Sequence, residues 1–306
     1  MTKLEWCKAN APEALKVLSD VELMEMMNSS YERFCSEKEI DENSMESVEY
    51  DKNVINNHLD YMVLELVREF GNNLAFKGGY MLTKLMESSA RQTTDIDFSI
   101  ASAEIYEDIK LVLERIGEHF LQEGVVDMYK VKDVIQPRMS GGADFYKNGV
   151  KVFGVDVGWH NISYGTTLVK TDIATVTAFK IERMVADKVT AILSKKRFRR
   201  PKDLYDLFCI LQLFDLDSRL VLDYINERTE GKGVDWQNHP FNDIVLREYA
   251  KAYNSLNVVS IYRDERPMAK PDFTACMDVF NKVVEVLKYP TPYTKWDHNK
   301  QTFVLG

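Results

Sequence analysis

At 306 residues, with 45% apolar and 28% charged side chains, the chain has ordinary globular composition and length for one large domain or two modest ones. Its 39 basic against 48 acidic residues leave a net charge of −9, which excludes a surface that is basic all round. Any nucleic-acid or nucleotide site must therefore be a local patch or use metal ions.

In chain order, residues 11–35 have helical apolar spacing, 36–50 are acidic and loop-like, and 52–71 predict a helix closed by Gly71. LAFKGG (74–79) predicts a short strand running into a turn, and YMLTKLMES resumes helical spacing with Met81, Leu82 and Leu85 on one face. DIDFSIA (95–101) alternates as a strand does. Residues 103–124 predict an amphipathic helix ending at Gly124, and VVDMYKVKDV and GADFYKNGVKVFGVDVGWHN predict strands with a hairpin turn at KNG. From Thr177 onward the pattern is almost entirely helical. The expected class is α+β, with a mixed sheet and flanking helices over 1–175 and an all-helical lobe over 176–306. Cys7, Cys35, Cys209 and Cys276 lie far apart without a Cys-x-x-Cys pair, so no zinc site or disulfide framework is expected. No run reaches the ~18 apolar residues of a membrane span, and none near the start has signal-peptide length, so a cytoplasmic protein is expected.

Three acids carry the chemistry. Asp95 and Asp97 are two apart on a predicted strand, so both carboxylates point to one face. Asp156 lies in a second strand between Val155 and Val157, and pairing of the two strands would bring three carboxylates together. Each part alone has an ordinary reading: a solvated strand edge, a turn at Gly78-Gly79, a hydrogen-bonded structural acid. Together they supply the hard oxygen ligands that two Mg²⁺ ions ~4 Å apart need for phosphoryl or nucleotidyl transfer. Gly78 and Gly79, at a strand-to-helix turn, would let phosphates approach the backbone at a helix N-terminus.

The order of apolar residue, Gly-Gly, helix and Asp-Ile-Asp resembles the nucleotidyltransferase superfamily typified by DNA polymerase beta, although the fifteen residues between Gly79 and Asp95 exceed the usual spacing. More specifically, FKGGYMLTKL followed by RQTTDIDF is similar to the AbiEii/AbiGii toxin family. In the second half, Lys188 falls in the apolar stripe of Ile181, Met184, Val185, Val189 and Ile192, where a lysine must snorkel, pair with a carboxylate or face a cleft. Asp203 suits the first turn of a helix opened by Pro201, and Asp206 follows on roughly the same face. Lys188-Val-Thr-Ala191 and Arg199-Arg-Pro-Lys202-Asp203-Leu-Tyr-Asp206 resemble that family's K-x-x-A and R-x-x-K-D-x-x-D motifs. The resemblance covers about residues 70–215.

The resemblance implies a Mg²⁺-dependent enzyme, with Mn²⁺ as an alternative ion, that moves a nucleotide from an NTP to an acceptor. Asp95, Asp97 and Asp156 would hold the metals, with Asp156 otherwise serving as base; Lys77, Gly78, Gly79 and Arg91 would bind phosphates. Lys188 would contact the triphosphate, and Asp203 and Asp206 would orient Lys188 or help the acceptor. The stretch SKKRFRRPK (194–202), including Arg199 and Lys202, sets six basic residues around Phe198, a patch suited to RNA or to a solvated loop. A tRNA 3′ end, an antitoxin partner and a role in phage defence come from the resemblance alone. Transfer to a small molecule or a protein, and a catalytically silent partner-binding module, are the competing readings.

Overall fold

The computed structural model describes residues 3–11, 23, 27, 52–86, 90–135, 140–159, 162, 164–194, 200–229, 241, 243–256, 270–288 and 294–305. In chain order these form α1 (Lys3–Asn10), α2 (Lys52–Phe70), β1 (Leu74–Lys77), α3 (Gly78–Met86), β2 (Asp95–Ile100), α4 (Tyr106–Gln122), β3 (Met128–Ile135), β4 (Ser140–Lys147) and β5 (Val150–Trp159). There follow β6 (Thr166–Lys170), β7 (Thr175–Phe179), α5 (Ile181–Leu193), α6 (Pro201–Leu213), β8 (Leu216–Asp217), α7 (Ser218–Thr229), α8 (Asp243–Asn254), α9 (Phe273–Lys288), β9 (Thr294–Asp297) and β10 (Thr302–Leu305). Most of the helix predicted over 11–35 lies outside the described residues. The chain divides into two compact units, with Tyr50–Met184 forming the body of one, and Val185–Asn257 and Lys270–Gly306 that of the other.

The first unit is built on a seven-stranded mixed sheet in the order β3-β4-β5-β2-β1-β7-β6. β2 runs parallel to β5 and β1 parallel to β7, while the remaining neighbours are antiparallel. Strand alternation decides which face is dry. Ile96, Phe98 and Ile100 of β2 and Phe153, Val155 and Val157 of β5 are buried on one side. α4 covers that side with Phe120, whose ring meets those of Phe145 and Phe153 at 5.8 and 5.5 Å, and α2 adds Leu59, Met62, Val63 and Leu66 to the core. The opposite side carries Asp95, Asp97 and Asp156. β6 and β7 form an antiparallel hairpin that the sequence reading left out; the Thr/Val-rich TVTAF segment becomes a strand because β1 offers it a parallel partner.

The second unit is helical around α6, whose Leu204, Leu207, Cys209, Ile210 and Leu211 are buried. α9 packs on α6 with Cys276, Met277, Phe280, Val283 and Leu287 in the core. A small antiparallel sheet, ordered β10-β9-β8, closes one end. Its Trp296 is fully buried and donates from Nε1 to the Leu211 carbonyl at 2.7 Å. Cys7, Cys209 and Cys276 are buried.

Candidate active site

The parallel pairing of β2 with β5 sets Asp97 beside Asp156 and Asp95 beside Gly154. β4 extends the same rows, with Gly142 beside Asp156 and Asp144 beside Gly154. Four carboxylates therefore share the face opposite α2 and α4. Asp144, which the sequence reading did not single out, belongs to the group only through strand register, which spacing along the chain cannot supply. The Asp156 side chain is 58% exposed, so the face is open to a substrate.

Two lysines thread the carboxylates. Lys151 Nζ lies 3.1 Å from Asp95 Oδ1 and 2.8 Å from Asp144 Oδ1. Lys132 Nζ lies 2.9 Å from Asp144 Oδ1 and 3.5 Å from Asp156 Oδ1. Lys151 reaches this side because the β4–β5 register shifts between Phe145 and Tyr146, which pair with Phe153 and Lys151. The extra residue, Val152, reverses the alternation, and a bulge of this kind re-aims a side chain. Burial pushes the Asp144 carboxyl up, but the two ammonium groups outweigh it and hold it below the usual carboxylate range. Burial likewise opposes the charge on Lys151, and Asp95 and Asp144 overcome it, raising its pKa.

The Gly-Gly turn abuts this face. Gly78 has φ +69°, and a Cβ there would stand 2.1 Å from Asp97 Oδ2. A Cβ on Gly79 would stand 2.7 Å from Thr93 Oγ1 and 3.5 Å from Arg91 Nη2. The N-terminus of α3 is thus pressed against Asp97, with Arg91 alongside. Lys77 is directly opposite Asp97 in the β1–β2 register, and its ammonium also lies 5.7 Å from the centre of the Phe179 ring.

In the helical unit, Lys188 is only 6% exposed and pairs with carboxylates rather than snorkelling. Its Nζ donates to Asp206 Oδ2 at 2.7 Å and to Asp203 Oδ1 at 3.2 Å. Arg200 Nε donates to the other oxygen of Asp203, so two cations face two buried acids. Asp203 spends its side chain on these cations; the helix start at Arg200 has no side-chain cap. Lys202 is half-buried in the first turn of α6, while Arg199 lies outside the described residues.

The sheet face fits a hard divalent cation in its donor chemistry: all four ligand candidates are carboxylates, and cationic groups already lie among them. Among the described residues no three such side chains converge on a single point, so the fit rests on donor type and strand alignment. No described helix is long and apolar enough to cross a membrane.

The chain is 18% identical to MenT4, a nucleotidyltransferase toxin from Mycobacterium tuberculosis H37Rv, over 82% of this chain and 87% of that one, with a TM-score of 0.48. It is 12% identical to JHP933 from Helicobacter pylori over 78% and 92% of the two chains, with a TM-score of 0.45. The Megavirus polyadenylate synthase aligns at 15% identity over 53% and 31%, with a TM-score of 0.37. No curated protein matches. The family described as nucleotidyl transferase AbiEii toxin, type IV toxin–antitoxin system, matches residues 65–280, which include the Gly-Gly turn, the carboxylate face and the Lys188 cluster. That span is well over half of the 306 residues, and the chain belongs to the AbiEii family of nucleotidyltransferase toxins.

Proposed function

We propose that the protein transfers a nucleotide from an NTP to the 3′ end of an RNA, a tRNA first among them, and that it is the cytoplasmic toxin of a pair held in check by an antitoxin and used in phage defence. The observation that carries the reading is the alignment of Asp97 with Asp156 on adjacent parallel strands, with Asp95 on the same face and the Gly78 turn against Asp97.

Asp95, Asp97 and Asp156 are the residues that would hold Mg²⁺, or Mn²⁺ in its place. When bound, the ions supply positive charge to the phosphates and to the attacking oxygen. The residues of the chain do the rest. Gly78 and Gly79, which put no side chains at the N-terminus of α3, are proposed to let phosphate oxygens approach its amides. Arg91 beside Gly79, and Lys77 in the sheet row of Asp97, add charge on the same side. Asp156, the most open of the three acids, is proposed to accept a proton from the acceptor hydroxyl. For Lys188 the proposed role is charge compensation on the leaving pyrophosphate, with Asp203 and Asp206 orienting its ammonium. Arg199 and Lys202, in the basic stretch 194–202, are proposed to contact phosphates; that stretch and the family resemblance favour RNA as acceptor.

The test is incubation with each α-labelled NTP, Mg²⁺ and total cellular RNA, comparing wild type with Asp97→Ala. Label entering tRNA-sized RNA with wild type alone is the expected result and identifies the nucleotide. Label entering protein or a small molecule instead moves the acceptor to that class. Transfer that survives Asp97→Ala overturns the assigned site.

A further inference from the structure

The carboxylate face contains two ammonium groups that the proposed transfer does not use, and both end on one atom. Lys151 and Lys132 each contact Asp144 Oδ1, at 2.8 and 2.9 Å. Each also reaches one proposed metal ligand: Lys151 contacts Asp95 and Lys132 contacts Asp156. We propose that Lys151 is a built-in counter-cation, which holds Asp95 in the metal-free protein and withdraws onto Asp144 when a divalent ion binds, with Lys132 doing the same between Asp156 and Asp144. The inference rests on the reading of Asp95, Asp97 and Asp156 as metal ligands.

Three features of the chain support it. Asp95 Oδ1 and Asp144 Oδ1 are buried, and each meets lysine ammonium in an ion pair, at 3.1 and 2.8 Å. Buried carboxylate oxygens in that state are held chiefly by the charge of the cation beside them, and a second cation can replace the first. The bulge at Val152 is what carries Lys151 to this face at all. Gly154 then leaves its path clear: a Cβ there would stand 2.7 Å from Lys151 Nζ and 3.0 Å from Asp95 Oδ1. The withdrawal is cheap. Lys151 already touches Asp144, so leaving Asp95 strands no buried charge, and a lysine head on a flexible stem can move that far by rotation.

The consequence is competition. An incoming divalent ion must displace a unit positive charge from Asp95, so its apparent affinity is lower than the carboxylates alone would give. Mn²⁺ binding to the full-length protein, read from loss of the free-ion electron paramagnetic resonance signal, measures this without any turnover. Lys151→Met is expected to tighten Mn²⁺ binding on the order of tenfold, the effect of removing one nearby charge under partial screening. Lys130→Met removes a charge from an exposed residue that pairs with Asp144 in the strand register, and is expected to change binding less than about twofold. Adding Asp95→Asn to Lys151→Met should abolish the gain. Lys151→Gln serves as a second neutral variant, with a thermal melt on each to establish folding.

Equal or weaker Mn²⁺ binding in both folded Lys151 variants overturns the inference, as does a gain from Lys130→Met as large as that from Lys151→Met. Wild-type binding that depends on Asp95 but shows no gain in the Lys151 variants defeats this inference alone. Binding indifferent to both Asp95→Asn and Asp97→Asn defeats the metal-site reading beneath it.

Discussion

At φ +69°, Gly78 occupies backbone space that costs an L-residue about 1–2 kcal/mol, and the missing Cβ is where the Asp97 carboxylate lies. Gly78→Ala is therefore expected to destabilise the protein by at least that amount, measured by urea denaturation. It should also abolish nucleotide transfer, because either the turn or Asp97 must move. A fully active, equally stable Gly78→Ala protein would show that the close approach has no role. The Gly-Gly turn and the Asp-x-Asp pair were both legible in the sequence, since each is a local pattern with a local cause. Asp144 and Lys151 were not. Asp144 joins the site by lying beside Gly154 in a neighbouring strand, and Lys151 by a bulge that reverses its direction. Neither fact has a signature in the spacing of residues along the chain.

Among the elements, α3 bears the turn and must be held in place. Lys84 on α3 pairs with Asp60 of α2 at 2.9 Å and with Asp172, in the β6–β7 turn, at 2.8 Å. Tyr80, one turn earlier, donates to the other oxygen of Asp60 at 2.7 Å. Lys84→Met is expected to cost on the order of 1–3 kcal/mol, because it leaves Asp60 with Tyr80 alone at a partly buried site. The pH dependence has a definite sign. Burial opposes the charge of Lys84, but bonds to Asp172 and Asp60 outweigh it and raise its pKa above 10.5, so its contribution is complete below that value and fades as pH rises through the folded one. Asp172, bonded to Lys84, is depressed below 3.8, so its contribution is complete above that value and fades as pH falls through the folded one. The stability gap between wild type and Lys84→Met should then stay constant between about pH 5 and 9 and narrow below about pH 4. A gap that narrows near pH 6–7 would point to a different partner for Lys84. The helices from α2 onward and the first five strands were readable because their apolar periodicity is local; α1, with no apolar stripe, was not. The β6–β7 hairpin and the three short strands β8, β9 and β10 were not: β7 is fixed by β1 and β9 by β8, partners far away in the chain, and β6 and β10 are the hairpin arms that follow from them.

On the scale of the molecule, a net charge of −9 and a face of four aligned carboxylates act in the same direction: both draw cations, one diffusely and one at a site. Linkage separates the two. An ion that binds the folded sheet unit but not the unfolded chain stabilises it by about 2.7 kcal/mol at a hundredfold excess over its Kd. For a domain of this size that corresponds to a rise in Tm of roughly 5–10 °C. Diffuse screening of the acidic surface depends instead on ionic strength, with little regard for which residues carry the charge. Wild-type protein is therefore expected to melt higher in Mg²⁺ than in NaCl of matched ionic strength, and EDTA should remove the difference. Asp97→Ala should lose the Mg²⁺-specific part while keeping the response to NaCl, since it removes one charge of many from the surface but one of the three proposed ligands from the site. Should Asp97→Ala retain the whole Mg²⁺-specific shift, the ion would be binding elsewhere on the acidic surface, and the alignment of Asp97 with Asp156 would need another explanation.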